Sequence, residues 1–181
     1  MSYPWPGLDL TNLNKVQASI YFFRQVARIY QHLVEKKDRD VVEHFVSTYF
    51  PCIEAIVEKI MQNYSNETAK LLLELLQMFL SIIHLEMPMY LKDFERIGKW
   101  VMFFKAILGA PFEAKELVYC WKVREESAKI ILKLLQQYCD HHLDGKFDHG
   151  WQSAFAQKFG LDLLTSCESV FSQVKASYMS D

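Results

Sequence analysis

Apolar side chains recur every three to four residues along one long segment after another. This rhythm constrains the fold more than any residue capable of chemistry. Along residues 12–36 the steps are Val16, Ile20, Phe23, Ala27, Tyr30 and Val34. Along 38–63 they are Val42, Val46, Tyr49, Ile53, Ile56 and Ile60, and a third set is Phe94, Ile97, Val101, Phe104 and Leu108. A period near 3.6 residues lays a broad apolar stripe down one side of a helix. Such stripes have to be covered, so these helices must stack on one another. The fold expected is all-α, and stacked helical hairpins serve as binding scaffolds more often than as enzymes.

Composition agrees with that reading. Hydrophobic residues make up 51% of the 181, with only 6 Gly and 5 Pro to interrupt them. The apolar surface suffices for a sizeable core, and turn signals are too sparse for a sheet protein. Net charge is −2 and no basic block appears, so nucleic acid is not expected as a direct partner. Cys52, Cys120, Cys139 and Cys167 lie far apart, mostly within apolar runs, as buried thiols of a reducing compartment do. No charged-then-apolar leader pattern opens the chain. The most apolar stretch, 71–85, is interrupted by Glu74, Gln77, Ser81 and His84 and is too short to span a bilayer. The expectation is a soluble protein inside the cell, without a membrane partner.

The helices expected are six. The first runs from about Asn12 to Lys36. The cluster Lys36-Lys37-Asp38-Arg39-Asp40 reads as a solvated turn, with Asp38 capping the second helix. Pro51 removes a backbone donor within that helix and predicts a kink or break near 48–50. Asn66 precedes a third helix, reaching about Glu86, that is apolar around most of its circumference and therefore central. A fourth spans about 92–108. A fifth, about 117–140, turns Ala128, Ile131, Leu135 and Tyr138 inward. Its outward pairs Lys122–Glu126 and Glu125–Lys129 are worth about 0.2–0.5 kcal/mol each. Asp140 to Gly150 reads as a polar loop, and Gly160 bends or divides the sixth helix. Residues 1–181 thus form a single block of about three hairpins at HEAT-like spacing, an α-solenoid segment.

Little in the chain has the geometry of catalysis. His141, His142, Asp144, Asp148 and His149 concentrate metal-ligand types in one stretch, but adjacent histidines on a helix point about 100° apart and a zinc site needs convergence. Glu54 and Glu58 are spaced to share a cation, yet Lys59 beside them marks an exposed face. His32, His44 and His84 stand alone on helices, and no nucleophile elbow, phosphate loop or Cys-x-x-Cys pair occurs. The expectation is no enzyme, no catalytic or metal residues and no cofactor. Trp5, Trp100, Trp121 and Trp151 fall mostly at core positions, with a few lining grooves between hairpins.

Several short motifs resemble one family. Trp5-Pro6-Gly7-Leu8 is similar to a motif early in the importin-β-like (karyopherin-β) transport receptors. Phe50-Pro51 followed by Ile53, Ile56 and Ile60 resembles a helix of the branch containing importins seven and eight. Leu85-Glu86-Met87-Pro88 with Leu91 and Trp100, and then Trp121-Lys122 with Ile130, Leu134 and Tyr138, resemble later segments of that branch in the same order. Glu126 stands where the branch often has a second Trp.

The resemblance implies HEAT repeats and a receptor that moves between cytoplasm and nucleus. Such a receptor holds protein cargo on its concave side, takes FG nucleoporin segments between outer helices, and releases cargo to the Ran GTPase in its GTP form. It implies that this chain is a piece of the N-terminal third, lacking most cargo contacts and part of the Ran surface. Exposed flanking residues such as Phe22, Ile29, Phe155 and Phe171 would then favour self-association. The alternative is an unrelated helical-repeat adaptor, and a metalloenzyme using the His141–His149 stretch is a third reading.

Overall fold

The computed structural model describes residues 11–30, 36–62, 64–83, 87–109, 118–144 and 149–179. Among them there is no strand. The helices are α1 (Leu13–Tyr30), α2 (Lys36–Gln62), α3 (Asn66–Ile82), α4 (Phe94–Gly109), α5 (Val118–Asp144), α6 (His149–Phe155) and α7 (Leu161–Met179). A 3-10 turn at Met89–Lys92 precedes α4, and a π-helical turn, Ala156–Gly160, joins α6 to α7. The chain is all-α. No helix is long and apolar enough to cross a membrane among the described residues.

Short polar side chains start three of these helices. The N–H of Lys15 donates to Asn12 Oδ1 at 3.1 Å, and that of Arg96 to Asp93 Oδ1 at 2.9 Å. Ser65 caps α3 reciprocally: Thr68 N–H donates to Ser65 Oγ at 3.3 Å while Ser65 N–H donates to Thr68 Oγ1 at 2.7 Å. Caps of this kind stabilise a helix by about 0.5–2 kcal/mol. Ser65 is thus the cap and Asn66 the first helical residue.

The chain divides into two compact units, Met1–Tyr90 with Ala114–Glu126, and Leu91–Glu113 with Ser127–Asp181. In the first, Val16, Ile20, Phe23 and Ala27 of α1 are buried, as their spacing requires. Phe23 packs at 5.4 Å from Phe45 and 5.3 Å from Tyr49, which tie α1 to α2. Leu72, Leu75, Leu76, Met78 and Phe79 of α3 are all fully buried, so α3 is the core helix of this unit. Phe50 of α2 meets Phe79 at 5.9 Å. Helices α1 and α3 run parallel. Their first turns share a cleft, and further along Arg24 bonds Glu74.

The second unit repeats the parallel arrangement. Phe94, at the start of α4, stacks on Trp151 at 5.9 Å, and Lys105 near its end bonds Asp162 at 2.5 Å. Trp151 also donates its indole N–H to the carbonyl of Lys92 at 2.5 Å. Trp151 and Phe155, then Phe155 and Phe159, follow at 5.2 Å each, forming a ladder. Residues four apart on an α-helix drift by about 40°. The looser π turn takes that drift back, which keeps Trp151, Phe155 and Phe159 in line.

Several expectations are corrected. Helix α2 begins at Lys36 and runs unbroken through Pro51, so Lys36 to Asp40 are helical and Asp38 is no cap. Phe45, Val46, Phe50, Ile53, Ile56, Val57 and Ile60 are buried on both sides of Pro51. At about 1.5–3 kcal/mol each, they outweigh the roughly 3 kcal/mol cost of an interior proline. The buried row of α5 is Val123, Ser127, Ile130, Ile131 and Leu134, whereas Ala128 and Leu135 are half-buried. Glu126, expected on a solvated face, is buried. Phe155, expected on an exposed flank, is 1% exposed because it sits inside the aromatic ladder. Phe22 is 52% exposed, while the side chains of Ile29 and Phe171 lie outside the described ones.

Candidate functional site

The polar positions of α1 and α3 repeat at the same helical spacing as their apolar ones. Asn14, Gln17 and Tyr21 lie three and four residues apart on α1; Glu67, Lys70 and Glu74 do so on α3. Because the two helices run parallel, these rows face each other across an open trough. Its wider end, about 530 Å³, is lined by Thr11, Asn12, Asn14, Gln17, Glu67 and Lys70, with the buried Leu71 as floor. A second portion of about 320 Å³ continues past Ala18 and Tyr21 to Glu74.

At this end Arg24 Nη1 donates to Glu74 Oε2 at 2.5 Å, with both side chains about four-fifths buried. Arg24 Nε is buried without a hydrogen-bond partner. The trough therefore combines amide groups, which offer both donors and acceptors, with an exposed aromatic ring and a charge pair at one end. Nothing in it resembles a nucleophile with its base.

The two facing polar rows are readable in the sequence, but only once α1 and α3 are known to be parallel neighbours. Of the residues weighed from the sequence as catalytic, metal-ligating or groove-lining, none lines the trough. His141, His142 and Asp144 fall in the last turn of α5, and His149 opens α6. The part of the expected polar loop that the structure describes, up to Asp144 and from His149, is therefore helical; residues 145–148 lie outside the described ones, as do the side chains of these histidines and Asp144. Among the described residues no three potential metal ligands converge. Glu58 and Lys59 are exposed and Glu54 is half-buried. His44 is exposed, while His32 and His84 lie outside the described residues.

The tryptophans separate. Trp100 is buried, Trp151 half-buried in the aromatic ladder, and Trp121 is 50% exposed with the Arg124 guanidinium 5.9 Å from its ring centre. Trp5 lies outside the described residues. Cys52 and Cys167 are free, half-buried thiols, and burial raises the Cys167 pKa above the ordinary thiol value, making it a weak nucleophile at neutral pH.

The ladder in the second unit is another dense cluster. Lys158 lies 5.5 Å from the ring centre of Phe94 and 5.4 Å from that of Phe159. Phe155 and Phe159 are buried, so this cluster is packing with a charged lid. No protein-family description matches the chain, and no curated protein or solved structure is significantly similar to it.

Proposed function

We propose that this chain is a protein-binding scaffold: a HEAT-like helical-repeat segment of a nuclear transport receptor of the importin-β type, nearest the branch of importins seven and eight. The observation that carries the scaffold reading is the parallel pair α1 and α3, with an open trough between them and no catalytic constellation along it. Solenoids stack successive hairpins in this way and bind extended segments on the surfaces so made. The transport reading rests on the ordered motifs from Trp5 to Tyr138.

In that role the protein works by reversible association. Protein cargo is held on the concave side of the whole receptor, Phe-Gly segments of nucleoporins place a ring between neighbouring helices, and Ran·GTP displaces cargo. The receptor works in cytoplasm and nucleus. Ala18 and Leu71 give the trough an apolar floor for such a ring, and Tyr21 gives it an aromatic edge.

Titration of a fluorescent Phe-Gly peptide, and separately of Ran·GTP, tests this. The peptide is expected to bind weakly, Ala18→Trp is expected to abolish that binding by filling the trough, and Ran·GTP is expected to bind feebly or not at all. No peptide binding at any concentration would favour an unrelated helical adaptor. Tight, nucleotide-dependent Ran binding would place the Ran surface within these residues.

A further inference from the structure

We draw no further inference here: the strongest candidate outside the trough, the exposed row of Leu161 and Leu164 on α7, is an apolar face, and nothing in the structure shows what covers it.

Discussion

The ring of Phe159 lies so close to Gly98 that a β-carbon added to the glycine would meet its Cζ at 3.3 Å. Gly98→Ala gains about 1 kcal/mol of helix propensity and loses about 1–3 kcal/mol to overpacking. Phe94 and Phe155 flank the ring and limit its retreat, so a net loss of up to about 2 kcal/mol is expected. With Phe159→Ala in place, the same change should stabilise by about 1 kcal/mol. Urea unfolding of the four proteins measures both values. Equal effects in the two backgrounds would remove the steric relationship.

Leu76→Ala or Phe79→Ala should each cost about 2–5 kcal/mol, since both side chains are essentially unexposed and their neighbours can only partly fill the void. Thermal melts report the loss. An unchanged melting temperature would mean that α3 is not the core helix of its unit.

The π turn at Ala156–Gly160 holds one residue more than the equivalent α-helical stretch. Deleting the exposed Gln157 should therefore leave α7 in register and stability nearly unchanged. Inserting Ala after Gln157 should rotate α7 by one position and bring Asp162 to the place of the fully buried Leu163. Loss of the leucine and burial of a carboxylate would together cost about 3 kcal/mol or more. If deletion and insertion cost the same, the turn does not set register.

Two ion pairs between helices should behave differently. Lys105 and Asp162 are 23% and 56% exposed, so Asp162→Asn should cost no more than about 1 kcal/mol and less in 1 M salt. Arg24 and Glu74 are 18% and 23% exposed. Glu74→Ala leaves a mostly buried guanidinium without its acceptor, at about 1–3 kcal/mol and with little salt dependence. Denaturant curves at two ionic strengths compare them, and an equal response to salt would contradict the difference in burial.

The stripes of α1, α2 and α4 were legible because burial on one side of a helix leaves a strict period. Val16, Ile20, Phe23, Ile97, Val101 and Phe104 are all buried. The inward face of α5 was harder to read because its seam runs through Ser127, a polar residue that is 0% exposed. Pro51 suggested a possible break that α2 does not have, because local propensity counts the lost donor but not the burial on either side. The π turn leaves no local signal beyond Gly160, since it answers to the position of α4. The trough was hidden for the same reason: Gln17 and Glu74 become neighbours only when α1 finds α3.

That late meeting has a consequence for how the chain acquires its shape. Bonds that close the two units join residues 50 apart at Arg24–Glu74, 57 apart at Lys105–Asp162 and 59 apart at Lys92–Trp151. Emerging from a ribosome at about 5–20 residues per second, α1 spends roughly 3–10 s with its apolar stripe waiting for α3. During that interval only α2, through Phe45 and Tyr49 against Phe23, covers part of the stripe, and a nascent-chain chaperone would find its grip on the rest.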